Sequence, residues 1–351
     1  MKPVRTSDVR RILFVRPRFL GDVCLTLPAV DAALAACPGA TAAYVTEAPL
    51  APLLEGDPRF AEVIPVAAKS NARETLGLVS RLRAFAPDVA FDFFCNPRSA
   101  VWTRASGARV RVGYPNKGWR SALYTHHARP RVLSSAAFHA ASLSALGWPL
   151  PAALAPPRLA IAPSTRDGAR ASLRRLDVPD DALLVGFHPG ARWPTRRWAP
   201  ERFAALAQRL LDAHPGAIAL VSAGPGEGEI ARAVLGALPT ERSRLIEGWP
   251  IARFVAMQSL CAAFVCGDTG PLHTAVAAGA PTLGLISRNR PAMFFPYAEA
   301  DGHRAYTARV ECSPCDRDEC ADLRCLTRLS VHGAWERLAA MLERSGQAGV
   351  L

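Results

Sequence analysis

Eight consecutive residues, Cys266-Gly267-Asp268-Thr269-Gly270-Pro271-Leu272-His273, bring together a carboxylate, a hydroxyl, two glycines and an imidazole. The apolar run at 262–265 before them reads as a buried strand. The alanine-rich run at 274–278 after them reads as a helix with Pro271 in its first turn. A strand, a short glycine-containing loop and a helix present backbone N–H groups to a phosphate. His273 stands on the opening turn as a polar side chain beside that cradle. A second loop of this kind is His188-Pro189-Gly190, and a third is Gly21-Asp22. Together they indicate a site for a phosphorylated ligand.

The other chemistry-bearing residues lie at similar places. Asp22 sits between a loop glycine and a helix. It reads either as an N-cap or as a general base for an acceptor hydroxyl. Asp268 is open to the same capping interpretation, with His273 facing the core. Arg196 and Arg197 stand at a helix start, where cations are mildly unfavourable, and a guanidinium can bind a diphosphate through two parallel hydrogen bonds. Trp198 beside them reads as packing. Gly224, Pro225 and Gly226 form a turn after a strand. Asn96 and Arg98 end another strand, and Arg111, Lys117 and Arg120 add positive charge nearby. Cys312, Cys315, Cys320 and Cys325 fall within one short segment. Four thiolates can hold a structural zinc, although the spacing is not that of a paired zinc knuckle; the alternative is reduced, packed thiols. The remaining cysteines, Cys24, Cys37, Cys95, Cys261 and Cys266, lie in apolar segments and read as buried small hydrophobes.

The elements that must position these groups alternate. Strands are expected at 11–15, 41–45, 61–66 and 89–94, with a loop at 18–22 and helices at 23–36, 74–85 and 99–105. A Pro- and Ala-rich stretch at 148–163 reads as a linker, after which the alternation restarts. Strands are expected at 183–187, 217–223, 262–266 and 281–286, and helices at 165–176, 200–213, 251–261 and 333–344. This is the pattern of parallel sheets covered by helices, an α/β chain of two doubly wound domains, 1–163 and 164–351, with ligands at the C-terminal ends of the strands.

The chain has 351 residues, half of them apolar and 21% charged, which fits a soluble globular protein of two domains. Its net charge of +12 comes almost entirely from arginine. Such a surface is either simply solvated or meets polyanions, and no zinc-finger, helix-turn-helix or RNP signature points to nucleic acid. The apolar run at 12–15 is too short for a secretory signal, and no stretch reads as a transmembrane segment, so a cytoplasmic location is expected.

Six segments in order resemble the heptosyltransferases of glycosyltransferase family 9: ILFVRPRFLGDVCLTLPAV at 12–30, FDFFCNPRSA at 91–100, RVGY at 111–114, HPGARWPTRRWAPERFAAL at 188–206, SAGPGEGE at 222–229 and GDTGPLHTAVAAGAPTLGL at 267–285. The resemblance runs through most of the chain. It implies a GT-B fold of two Rossmann-like domains, an ADP-heptose donor, and inverting transfer of heptose to the inner core (Kdo/heptose) of lipopolysaccharide, with no catalytic metal and no cofactor. It implies that Asp22 is the general base. It places the donor on the second domain, at His188, Gly190, Arg196, Asp268, Thr269, Gly270, Pro271 and His273, with Gly224, Pro225 and Gly226 bordering adenine or ribose. It places an anionic glycolipid acceptor on the first domain, near Arg18, Asn96, Arg98 and Arg120, and so a peripheral position at the inner face of the inner membrane. In this architecture the final helix can pack back on the first domain. Two departures stand out: the family often has lysine where Arg196 stands, and a G-P-T-x-P loop where this chain has Ser287-Arg288-Asn289-Arg290-Pro291. The competing readings are a family 9 transferase with another donor or acceptor, a nucleotide-sugar epimerase, and a polyanion-binding module.

Overall fold

The short apolar runs become strands buried on both faces, as parallel strands roofed by helices must be. A computed structural model of the protein describes residues 4–115, 118–131 and 134–348. Lys117, one of the basic residues singled out above, lies outside them. The chain divides into two units, Met1–Ala160 and Ile161–Leu351, three residues before the expected boundary.

In the first unit the elements run β1 (Arg11–Val15), α1 (Leu20–Ala36), β2 (Thr41–Glu47), β3 (Phe60–Val66), α2 (Ala72–Phe85), β4 (Val89–Asp92), α3 (Pro97–Ala105), β5 (Val110–Gly113), β6 (His126–His127) and α4 (Ser135–Ala140). In the second they run α5 (Pro163–Arg174), β7 (Leu183–His188), α6 (Pro200–Ala213), β8 (Ala217–Ala223), α7 (Gly228–Leu235), β9 (Ser243–Glu247), α8 (Ile251–Gln258), β10 (Ala263–Gly267), α9 (Gly270–Ala277), β11 (Thr282–Ile286), α10 (Pro291–Phe294), β12 (Arg304–Thr307), α11 (Arg324–Thr327) and α12 (Val331–Ala348). The sheets are ordered β3-β2-β1-β4-β5-β6 and β12-β11-β10-β7-β8-β9, parallel throughout. Numbered within its own unit, each has the Rossmann order 3-2-1-4-5-6.

Side-chain alternation along each strand divides the core into layers. On β8, Ala217, Ala219 and Val221 join the layer under α6 and α12, with Phe203, Leu206, Leu210, Leu338 and Leu342. Ile218 and Leu220 join the opposite layer, under α5, α8 and α9, with Leu173, Met257 and Leu272. Each large apolar side chain so buried contributes about 1.5–3 kcal/mol relative to exposure. The closing helix α12 packs on α6, β10 and β12. In the first unit Leu13, Val15, Val45 and Ala90 face Leu78, Leu82 and Trp102, while on the other face Phe14, Phe91 and Phe93 form a triangle of rings with centroids 5.7–6.0 Å apart.

Several expectations are corrected. The stretch 18–22 is not all loop: α1 already begins at Leu20, so Asp22 is inside its first turn. The helix expected at 165–176 starts at Pro163, whose fixed φ suits a first helical position. The helix expected to reach residue 261 stops at Gln258. Strands β5, β6, β9 and β12 and helices α4, α7, α10 and α11 were not foreseen.

Candidate functional site

The switch point of each sheet, where the strand order reverses, is where a doubly wound fold opens a crevice at its strand ends. In the first unit it lies between β1 and β4, and in the second between β7 and β10.

At the first switch point β1 runs directly into Arg16. Its backbone N–H continues the ladder to Val45 O, and its side chain is 10% exposed. One guanidinium nitrogen lies 2.6 Å from Asp22 Oδ1 and another donates to Phe93 O at 2.6 Å, with the group over the Phe94 ring. Asp22 is the third residue of α1, and its Oδ2 accepts the Phe19 N–H at 3.3 Å. It therefore closes the first turn from inside the helix rather than capping it from outside. Its side chain remains 31% exposed. A carboxylate fixed by an arginine and a backbone donor, and still partly open, can present an oxygen to a hydroxyl.

The β4 end supplies the floor. Asp92, buried, accepts the N–H groups of Phe94 and Cys95 on one oxygen and the Tyr124 hydroxyl on the other, at 2.7–2.9 Å. Burial pushes its carboxyl above the usual range despite these bonds. Cys95 is held at φ 54° in this turn and offers its carbonyl to Arg120 at 2.9 Å. Among the sequence candidates, Arg120 and Arg18 thus join Asp22 around this loop, Arg18 lying over the rings of Phe19 and Phe94. Asn96 caps α3 by accepting the Ser99 N–H at 2.7 Å. Arg98 is turned to the carbonyls of Ala67 and Ala68 and the Ser70 hydroxyl, tying the loop before α2 to α3.

At the second switch point the polar groups are more deeply buried and interlocked. His188 ends β7; its Nδ1 lies 3.0 Å from Ser222 Oγ and its Nε2 3.2 Å from Glu227 Oε2. The same Glu227 oxygen accepts the Gly224 N–H at 2.9 Å. Burial alone would raise the Glu227 carboxyl, but the His188 bond and charge, the Gly224 N–H and Arg197 together hold it below the usual glutamate range. A Cβ on Gly190 would overlap this carboxylate. A side chain at 190 or 224 would therefore displace the Glu227 carboxylate from this position; the sequence reading left Glu227 unassigned.

Arg196 spans from this loop to β10. It donates to Asp268 O at 3.0 Å and lies 3.6 Å from Asp268 Oδ2; its Nε is buried and finds no acceptor among the described residues. Asn289 donates to Asp268 Oδ2, and Ser287 Oγ donates to Thr195 O at 2.6 Å. Three loops are thus knitted at the strand ends. Asp268 is spent on this network, and Thr269 is the N-cap residue of α9, without a side-chain cap bond. That corrects the capping reading of Asp268. Gly270 and Pro271 open α9, whose first N–H groups have no acceptor within the helix. His273 is buried with Nδ1 2.8 Å from the Tyr297 hydroxyl. Trp198 packs edge-on against Phe203 and donates to Leu329 O, as its packing role requires.

The cysteine segment straps this region. Thr195 Oγ1 donates to Arg317 O and Asp318 O, Arg288 to Asp318 and Asp316 O, Ser313 to Ser287 O, and the Cys315 N–H to Arg288 O. Cys312 is exposed, Cys315 and Cys320 half-buried and Cys325 buried. Among the described residues no group of three or more His, Cys, Asp or Glu side chains is arranged to hold a metal ion, the zinc candidates Cys312, Cys315, Cys320 and Cys325 included. Cys320 donates to Asp322 O at 2.8 Å.

Comparison with known proteins places this arrangement. The family model for glycosyltransferase family 9 (heptosyltransferase) matches residues 76–325. Lipopolysaccharide heptosyltransferase 1 of Pseudomonas aeruginosa is 27% identical over 363 residues, covering 95% of this chain and 98% of that protein. A crystal structure of a family 9 glycosyltransferase from Veillonella parvula superposes with a TM-score of 0.84 at 21% identity, over 97% of this chain and 99% of that one. The E. coli heptosyltransferase WaaC with ADP superposes with a TM-score of 0.72 at 20% identity, over 94% and 99%. These likenesses bear out the expected GT-B fold. No helix of the described residues is long and apolar enough to cross a membrane. On the family match the chain belongs to glycosyltransferase family 9, and the protein is a glycosyltransferase.

Proposed function

We propose that this glycosyltransferase moves a heptose from ADP-heptose to the inner core of lipopolysaccharide, with inversion at the anomeric carbon and without a metal ion. The observation that carries the reading is the pairing of two glycine-containing loops, 188–190 and 268–270, with an arginine, Arg196, whose buried Nε finds no acceptor among the described residues. The names of two relatives supply the chemistry: one is a lipopolysaccharide heptosyltransferase and the other was solved with ADP. In this reading the α9 N-terminus, the Thr269 hydroxyl and Arg196 neutralise the departing diphosphate, the main electrostatic task of the reaction. The turn Gly224–Gly226 borders the nucleoside. Asp22 takes the proton from the acceptor hydroxyl as that oxygen attacks opposite the leaving group. Arg18 and Arg120 meet the anionic groups of the acceptor, and the enzyme works at the cytoplasmic face of the inner membrane.

The test is transfer itself. Purified protein should convert ADP-heptose and a Kdo-bearing lipid acceptor to a heptosylated product of inverted configuration, in the presence of EDTA, and ADP should raise its melting temperature more than UDP, GDP or CDP. Loss of transfer in EDTA that zinc restores would overturn the metal-independent mechanism, and stabilisation by UDP instead of ADP would overturn the donor.

A further inference from the structure

The start of α1 breaks a local rule beside the candidate base. Phe19 is the N-cap residue of α1, and its side chain makes no cap bond. That position favours Ser, Thr, Asp or Asn, whose oxygen accepts an orphaned helix N–H, and a phenyl ring cannot do this. Nor does the ring serve the core: Phe19 is 47% exposed, while Val23, Leu27 and Val30 further along the helix are fully buried. A single exposed apolar side chain needs no explanation by itself. One that also displaces a capping residue, next to a candidate catalytic group, marks a place where sequence choice follows a ligand rather than the fold.

The surroundings give the chemistry of that ligand. The Phe19 N–H donates to Asp22 Oδ2 at 3.3 Å, so the residue is rooted on the carboxylate itself. The Arg18 guanidinium lies 5.3 Å from the Phe19 ring centre and 5.7 Å from that of Phe94. Phe94 also carries Arg16, which grips Asp22. A path of contacts thus runs from Asp22 through Arg16, Phe94 and Arg18 to Phe19 and closes on Asp22. Arg18 is exposed and makes no hydrogen bond or ion pair among the described residues. Its stacking on two rings restricts it before any ligand arrives. A partly open carboxylate, an exposed ring and an unpaired, pre-set cation in one cluster match a sugar that bears an anionic group. The C–H face of a pyranose is apolar and weakly positive, and meets the negative face of an aromatic ring. The guanidinium meets the anion, and the carboxylate is left for a hydroxyl. We propose that Phe19 is a specificity residue for the acceptor, the platform on which the acceptor pyranose stacks with a hydroxyl toward Asp22. The inference rests on the acceptor reading above and adds the group that recognises the sugar ring rather than its charge.

The experiment is a calorimetric titration of the whole protein, without donor, with the deacylated Kdo-bearing saccharide of the acceptor. Phe19→Ser should bind it roughly tenfold more weakly, the scale of covering the open half of an aromatic ring. Phe19→Tyr keeps the ring and should stay within about twofold of the wild type. Phe19→Ser also supplies a capping hydroxyl three residues before Asp22, so its melting temperature should equal or exceed that of the wild type. ADP affinity should be unchanged in both variants. A carboxyl-reduced saccharide should bind the wild type more weakly yet keep its dependence on Phe19, because the ring reads the sugar and Arg18 the charge. Wild-type saccharide affinity in Phe19→Ser, no saccharide binding by the wild type, a lowered melting temperature in Phe19→Ser or a loss of its ADP affinity would each overturn the proposal. Phe19-dependent saccharide binding without heptose transfer would remove the functional reading alone. Normal transfer with saccharide binding indifferent to Phe19 would remove the platform alone.

Discussion

The two sheets share one strand order, yet their switch points are furnished differently. Between β1 and β4 the central group is a side chain held from behind: Arg16, buried, grips Asp22, which stays 31% exposed. Between β7 and β10 the polar groups are buried almost completely. His188 bonds Ser222 and Glu227, Asn289 bonds Asp268, and glycines let a carboxylate and a backbone carbonyl approach closely. The contrast fits a division of labour. A group that must exchange a proton has to be reachable, whereas a surface that must bind an anion gains from donors fixed in advance, with no reorganisation at the moment of reaction. The same topology therefore supports two sites because the loops, not the strands, set their chemistry.

Breaking the first site should have the largest effect. Asp22→Asn keeps the volume and can still accept the Phe19 N–H, so the protein should fold; turnover should fall roughly 10²–10⁴-fold, as loss of a general base typically does. A steady-state assay on folded variant checks this, and near wild-type turnover would return Asp22 to a purely structural role. Breaking the second site should cost less and appear elsewhere. Arg196→Ala should weaken ADP binding by about 1.5–3 kcal/mol, the scale of a charge-assisted hydrogen bond, as read by calorimetry.

The smallest effect sharpens the comparison through pH. Glu227 is held below the usual glutamate range in the folded protein. A carboxyl whose folded pKa is depressed contributes stability above its unfolded value, about 4.3, and loses it as pH falls through the folded value. The melting temperature of Glu227→Gln should lie below that of the wild type at neutral pH, by no more than about 4 °C, and the gap should close on acidification below about pH 4.3. A gap constant across that range would show that Glu227 acts by packing alone.

Most strands and the loops after β7 and β10 were legible because apolar runs and Gly-Pro punctuation are local signals. Four strands toward the sheet edges, β5, β6, β9 and β12, were not, although the edge strand β3 was. β5 mixes arginine with valine, β6 is two histidines, and β9 and β12 each carry an arginine among few apolar residues, so none shows the continuous apolar run of a central strand. In the sites, types were readable and partners were not. Arg16 and Asp22 stand six residues apart, and only the sharp start of α1 at Leu20 brings them to 2.6 Å. Glu227 and Gly190 meet through the pairing of β7 with β8, and Asn289 meets Asp268 through that of β10 with β11; such long-range pairings leave no local mark. In Asp268-Thr269 two cap-forming residues are adjacent, and the tertiary contacts of Asp268 decided which one caps α9.

The division of labour between the sites is tested most directly by one calorimetric titration of ADP into wild type, Asp22→Asn and Arg196→Ala. The predicted result is an unchanged ADP affinity in Asp22→Asn and a roughly ten- to hundredfold weaker one in Arg196→Ala. Equal weakening in both variants, or none in Arg196→Ala, would contradict it.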